Sequence, residues 1–346
     1  MEHTLQGTII YGDDFEPVDG IITIEDGIIK EIEKKKINSD TIIAPCFVNA
    51  HTHIGDSVIK DPPYLPLAEL VQPPNGLKHR ILAQTSKDDL IAAMKATIHD
   101  MIRTGTCAFL DFRESGSAGV KALKEASNGL NIESRAFGRP MDNDMGYLDS
   151  CEGTGLSSTS DLEMDIIREI VLNTKRKGKK FAIHAGERNS DDILPAIGLE
   201  PDLLIHMIHA EKREIKLIKE EQIPVVVCVR SNFITGSGLP PIKKMLDEGI
   251  LVAAGTDNVM LNSVNMFSEM EFLARTAIYD DRQVFKLCTL NGAKIAGLDK
   301  ELGSIKTGKK ARLMILNKKS DNMHGIRSPL SSLVRRARPD DIIRII

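Results

Sequence analysis

The order of apolar and polar positions changes character near residue 45. Before it, TLQGTIIYG, DGIITIEDGIIKEIEK and SDTIIAP alternate apolar and polar residues around Gly and Asp turns. That is the pattern of short strands, each with one buried face. After it, short apolar runs alternate with helical stretches, as a parallel sheet with crossover helices requires. Eight runs read as strands: 46–53, 106–112, 132–140, 152–158, 180–187, 203–210, 224–232 and 251–257. The fourth, EGTGLSS, is the weakest because glycine interrupts it. Between them KDDLIAAMKATIHDMIRTG, SAGVKALKEASNGL, DLEMDIIREIVLNTKRKG, EKREIKLIKEE and PIKKMLDEG read as helices. Several space apolar residues at i, i+3 and i+4 and stop at Gly. Eight such units predict an α/β protein built on a closed (β/α)₈ barrel. A doubly wound open sheet would need fewer strands.

Past the barrel, DRQVFKLCTLNGAKIAG reads as helix and LGSIKTGKKARLMILNK as strand. Residues 1–45 and 302–346 are therefore expected to form one small β-sandwich subdomain, with the barrel, 46–301, inserted between its halves. The Pro-rich segment 61–79, DPPYLPLAELVQPPNGLKH, would lie above the barrel mouth as a candidate lid.

Composition narrows the function classes. The 346 residues carry 45 Lys+Arg against 49 Asp+Glu, and Trp is absent. Neither a basic groove nor a base-stacking platform is indicated, so no nucleic-acid partner is expected. The five cysteines (Cys46, Cys107, Cys151, Cys228 and Cys288) are odd in number and form no C-x-x-C pair. That speaks against a disulfide framework and for a reducing cytoplasm. No signal-peptide pattern and no membrane-length apolar run is read, so no membrane partner is expected either.

Most histidines fall where the predicted strands end. His51 and His53, two residues apart, share one face of the first strand. His184 ends the fifth strand, His209 the sixth, and Asp257 the eighth. In a barrel these positions meet at the C-terminal rim, where active sites form. Imidazoles and a carboxylate gathered there suit a borderline divalent cation, Zn²⁺ or alternatively Fe²⁺. Taken singly, each has a plainer role, such as a structural histidine or an Asp helix cap. It is their order on successive strand ends that points to a metal. His206 is three residues from His209, an odd spacing that turns it toward a helix, as a structural residue. His3, His79, His99 and His324 read as surface or structural residues. Candidate substrate contacts at the rim are Arg113, Arg139, Arg230, Ser231 and Asn258, with Glu114 beside Arg113.

APCFVNAHTH, FAIHAGE, IHMIHA and AAGTD together resemble the signature segments of the metal-dependent amidohydrolase superfamily. The likeness is to its branch of cytosine, guanine and S-adenosylhomocysteine deaminases and chlorohydrolases, and LGSIKTGKKARLMIL resembles that family's returning β segment. The resemblance implies that His51, His53, His184 and Asp257 hold the metal and that His209 holds the attacking water. It also implies that Glu187, three residues after His184, moves protons, with His209 and Asp257 as its catalytic partners. Two-metal members carry a bridging lysine on strand four. This chain has no lysine between Lys124 and Lys175, and only Cys151 or Glu152 could substitute, so one metal is expected. The family's C-P-R-S-N appears as CVRSN, with Val229 in place of proline. Gly55 and Asp56 follow the histidines where purine-type deaminases often carry Gln or Met. The function implied is hydrolytic deamination of a small nitrogen heterocycle or its nucleoside. Alternatives are ring opening of a cyclic amide, as by an imidazolonepropionase, and a non-catalytic scaffold. A small-molecule substrate is the expected partner, and a homo-oligomer is left open.

Overall fold

A computed structural model describes residues 2–346 apart from 73, 74, 142, 143, 277 and 279. The N-terminal pattern forms β1 (Glu2–Tyr11), β2 (Glu16–Glu25), β3 (Ile28–Lys34) and β4 (Thr41–Pro45). The barrel strands are β5 (Phe47–His53), β6 (Thr106–Arg113), β7 (Glu133–Gly138), β8 (Gly153–Leu156), β9 (Lys180–Ala185), β10 (Leu203–His206), β11 (Val225–Val227), β12 (Val252–Ala254) and β13 (Asp257–Asn258). The chain ends with β14 (Leu313–Asn317) and β15 (Ile342–Ile345).

The barrel sheet has the order β12-β11-β10-β9-β8-β7-β6-β5-β13, and its neighbouring strands are parallel. Its two outer strands are halves of one segment, broken at Gly255 and Thr256. The first half pairs with β11 and the second with β5. The sheet therefore curls back on itself. Asn49 fastens the seam: its amide donates to Thr256 Oγ1 at 2.7 Å, and its carbonyl oxygen accepts the Thr256 backbone N–H at 3.0 Å.

Local chemistry explains the elements. Helix Lys87–Arg103 starts at Ser86, whose hydroxyl accepts the backbone N–H of Asp89, and buries Met94, Ile98 and Met101 on one stripe. The fourth strand carries glycine at 153 and 155, where a side chain has no room. A Cβ on Gly153 would lie 1.8 Å from the Lys180 carbonyl oxygen, so glycine permits the close approach of β9. The seventh run is strand only over Val225–Val227 and then becomes the helix Val229–Ile234, so Arg230 and Ser231 lie on a helix rather than at a strand end.

The chain ends meet in one six-stranded sheet, β15-β14-β4-β1-β2-β3, rather than in the two facing layers of a sandwich. It is mixed: β4 runs parallel to β1 but antiparallel to β14. Ile9, Ile22, Ile24, Ile29, Ile43 and Leu313 form its buried face. Phe15, in the β1–β2 turn, packs edge-on against Phe285 at 5.0 Å and links this sheet to the barrel helices. The C-terminal part is not all β. Helix Pro329–Arg335 lies between β14 and β15 and packs on helices Met266–Thr276 and Asp281–Leu287. No helix among the described residues is long and apolar enough to cross a membrane.

Candidate metal centre

Strand geometry delivers the first two candidate ligands. His51 and His53 lie two residues apart on β5, and both are buried. β9 brings His184, whose Nδ1 meets the Leu156 carbonyl oxygen at 2.8 Å. That contact places the ring proton on Nδ1 and frees Nε2. β13 brings Asp257, which takes a left-handed backbone with φ of 62°. Aspartate tolerates this conformation better than most residues, and the strain sits where function concentrates it.

The four ligand atoms converge. His53 Nε2 lies 3.3 Å from His184 Nε2, which lies 3.2 Å from His51 Nε2. Asp257 Oδ1 is 3.3 Å from His51 Nε2 and 3.5 Å from His53 Nε2. Ligands about 2.0–2.1 Å from a tetrahedral zinc-type cation stand roughly 3.3–3.4 Å apart. The cage therefore has the size such an ion needs. Three imidazole nitrogens facing one another cannot all be satisfied by each other's protons, whereas a cation satisfies them together.

Electrostatics agree. Burial, aided by the neighbouring imidazoles, pushes His51 down to about 3 and His184 well below the usual histidine range, so both are neutral and able to ligate. For Asp257, burial opposes ionisation. The hydrogen bond with His51, and the electrostatic pull of the histidines around it, outweigh burial and hold the carboxyl well below its usual range. Ser231 Oγ donates to Asp257 Oδ2 at 2.6 Å, which leaves Oδ1 for the cage.

Around the cage, a cavity of about 60 Å³ is lined by residues including His206, Glu187, Lys78, Ser157 and Asn258. It adjoins a groove of about 350 Å³, with which it shares Val71, Ser157, His184 and Glu187. Glu187 is half-buried on the loop past β9, with Oε2 3.8 Å from His206 Nε2.

The sixth-strand histidine corrects the sequence reading. The ring beside the cage belongs to His206, 5.3 Å from the His184 ring and 6.1 Å from that of His51. His209 lies beyond the strand, on a turn where its backbone N–H donates to the Gly186 carbonyl oxygen at 3.0 Å. Alternation counted back from His209 fails because β10 stops at His206. His206 and Met207 have φ of 74° and 55°, so the chain turns there and the extended pattern no longer sets side-chain direction.

The three rim arginines are each engaged by protein partners. Arg113 is buried, donates to Asp111 and Glu114, and packs so close to Gly55 that a Cβ there would lie 2.1 Å from its guanidinium. That explains Gly55 after the histidines. Arg139 donates to Asp161 at 2.9 Å and to Ser157, fastening the loop at the cavity edge. Arg230 donates to Ser263 and Asn265, and its backbone N–H to buried Glu269. Of the five proposed contacts, Ser231 and Asn258 line the cavity, and Ser231 is engaged by Asp257. His79, read as a surface or structural residue, also lines the cavity, with Nε2 3.1 Å from the Val71 carbonyl oxygen. Cys151 and Glu152 stand at the opposite end of β8 from the cage. There Cys151 Sγ donates to Gly153 O, and Glu152 pairs with Arg135 at 3.6 Å.

Known proteins carry the same frame. Residues 42–346 match the amidohydrolase family.

The chain belongs to the amidohydrolase family.

Over 368 residues this amidohydrolase is 33% identical to an uncharacterized protein of Methanocaldococcus jannaschii, an alignment covering 98% of this chain and 96% of that one. It is 25% identical to the 5-methylthioadenosine/S-adenosylhomocysteine deaminase of Moorella thermoacetica, with 89% and 80% covered. Its fold matches atrazine chlorohydrolase of Arthrobacter aurescens TC1, solved in complex with zinc. The TM-score is 0.82 at 16% identity, with 99% of this chain and 93% of that chain covered. The chain thus has a His-His-His-Asp metal site on an amidohydrolase barrel.

Proposed function

We propose that this amidohydrolase is a hydrolytic deaminase of a small nitrogen heterocycle or its nucleoside and works with one zinc ion. The convergence of His51, His53, His184 and Asp257 at 3.2–3.5 Å, with Glu187 and His206 beside them, carries this reading. Relatives named as deaminases support the reaction class. His51, His53, His184 and Asp257 would hold the ion, which would supply the Lewis acidity that lets water act as a nucleophile near neutral pH.

The chain's own groups handle the protons. His206 and Asp257 flank the position of the nucleophile, orient it and take its proton. Glu187 sits on the loop past β9, beside His206. It protonates the ring nitrogen as the adjacent carbon is attacked, and then the amine, so that the amine leaves as ammonia. One water is consumed, one exocyclic C–N bond breaks, and one carbonyl forms. The ring occupies the cavity over the ligands, and a substituent extends into the groove beyond Ser157 and Glu187. Strand four contributes no bridging side chain at the cage, which favours a single ion.

The test is a screen of purines, pyrimidines, pterins and their nucleosides for ammonia release by zinc-loaded protein. Ammonia formed in step with a carbonyl product is expected. Substrate turnover without ammonia would overturn deamination in favour of cyclic-amide ring opening.

A further inference from the structure

The reaction uses one face of His53, and a second charged cluster lies behind the other. Lys78, on the helix Leu77–Gln84, is 5% exposed although it carries an ammonium group. Its Nζ pairs with Asp56 Oδ2 at 3.1 Å and with Glu114 Oε1. Glu114 Oε2 accepts from Arg113, whose other terminal nitrogen lies 3.3 Å from Asp111 Oδ2. Asp111 Oδ1 in turn accepts the Ile54 backbone N–H at 2.7 Å and the Thr52 hydroxyl at 3.0 Å. Two cations and three carboxylates leave one net negative charge in this buried knot. Such knots are poor devices for stability, because desolvation consumes most of what pairing returns. Another reason for its presence is needed, and His53 provides one.

His53 gives Nε2 to the cage, so its proton must sit on Nδ1. That buried atom has no hydrogen-bond partner among the described residues. The carboxylate oxygen facing it is Glu114 Oε1, 3.6 Å away, the same oxygen that Lys78 holds. A carboxylate behind a ligating histidine fixes its tautomer and ring angle and makes it a stronger ligand. His184 already has such support from the Leu156 carbonyl oxygen.

We propose that Glu114 is a positioning residue of the metal centre, accepting the Nδ1 proton of His53, and that Lys78 holds it in place. One carboxylate is then shared between a metal ligand and the helix Leu77–Gln84 at the cavity mouth. Because such coupling is reciprocal, metal binding tightens that helix, and loosening the helix weakens the metal. The inference rests on the metal reading above.

The experiment measures zinc affinity by competition with a chromophoric chelator, and backbone hydrogen exchange over 77–84 with and without zinc. The chains are wild type, Glu114→Gln, Lys78→Met, and Arg80→Ala as an exposed control on the same helix. Glu114→Gln is expected to weaken zinc by about 10–100-fold and to abolish the slowing of exchange that zinc causes in the wild type. Lys78→Met shifts both readouts in the same direction by a smaller factor, and Arg80→Ala shifts neither. Should Glu114→Gln fail to fold, Lys78→Met decides by the same two measurements. Wild-type zinc affinity in a folded Glu114→Gln chain overturns this proposal alone. A wild-type chain that binds no zinc overturns the metal reading and this proposal with it.

Discussion

The barrel rim and the sheet made by the chain ends are both buried, but in different materials. The sheet buries Ile9, Ile22, Ile24, Ile29 and Ile43 and keeps its ion pairs, such as Lys30–Glu25, in solvent. The rim buries His51, His184, Asp111, Arg113, Lys78 and Glu269. Each isoleucine contributes about 1.5–3 kcal/mol through removal from water, with no demand for exact partners. Each rim group costs free energy to desolvate and is tolerable only when its partners are in place. The sheet is stable wherever apolar volume is conserved. The rim is stable only as one arrangement, the arrangement to which the proposed function assigns the cation and the proton transfers.

The sharpest way to break this contrast is to remove a ligand. His51→Ala or Asp257→Ala is expected to take bound metal from close to one per chain to near none and to abolish turnover, by metal analysis and ammonia assay. A variant that keeps both metal and activity would remove the rim's functional account.

Next in size are the groups proposed to handle protons. Glu187→Gln should retain the metal and lose about 10²–10⁴-fold in turnover, the usual contribution of a general acid or base. His206→Ala should lose turnover in the same range, while His209→Ala stays near wild type. Steady-state rates on one substrate test all three, and a reversal of the two histidines would restore His209 to the site.

The sheet should behave in the opposite way. Ile22→Ala leaves a cavity in its buried face and should cost about 2–5 kcal/mol in urea unfolding, with metal content and turnover per folded chain unchanged. A loss of metal in this variant would show that the two regions are not separable.

The smallest effect sharpens the comparison through pH. Burial raises Glu269 to about 7, against the partial relief of Arg230 and of the backbone N–H groups it accepts. Between about pH 4.5 and 7 the folded chain keeps a proton that the unfolded chain has released, so this group's contribution to stability falls as pH rises and is flat above 7. The full shift corresponds to roughly 3 kcal/mol at most. Glu269→Gln should remove that fall, so the stability difference between the two chains should open in the variant's favour from pH 5 to pH 8. Unfolding curves that stay parallel across that range would show that Glu269 does not titrate there.

Much of the architecture was legible because periodicity is local. Alternation in 1–45 marked the N-terminal strands, and apolar runs between amphipathic helices marked every barrel strand, including the weak fourth. His-Thr-His, HAGE and GTD marked the cage, since a strand end at a barrel rim leaves little freedom for where a side chain goes. The exceptions share a cause. His206 was assigned to the wrong face because β10 ends at His206, four residues before the end of the apolar run at 210, and a positive φ then redirects the chain. The rim arginines were given to substrate because arginine type alone does not reveal that Asp111, Asp161 and Ser263 engage them.

What the chain's sequence settled by itself is therefore what short-range rules can carry: which segments are strands and helices, that eight of them suit a barrel, and which strand ends carry the candidate metal ligands. Tertiary structure alone decided which charges neutralise each other. Lys78 and Glu114 are 36 positions apart in the chain, and Asn49 and Thr256 are 207 apart. Partner choice over such separations depends on where the folded backbone delivers each side chain, and no local pattern encodes that distance. For the same reason the single sheet of the chain ends, the closure of the barrel at Gly255–Thr256, and the carboxylate behind His53 became visible only once the fold had brought their parts together.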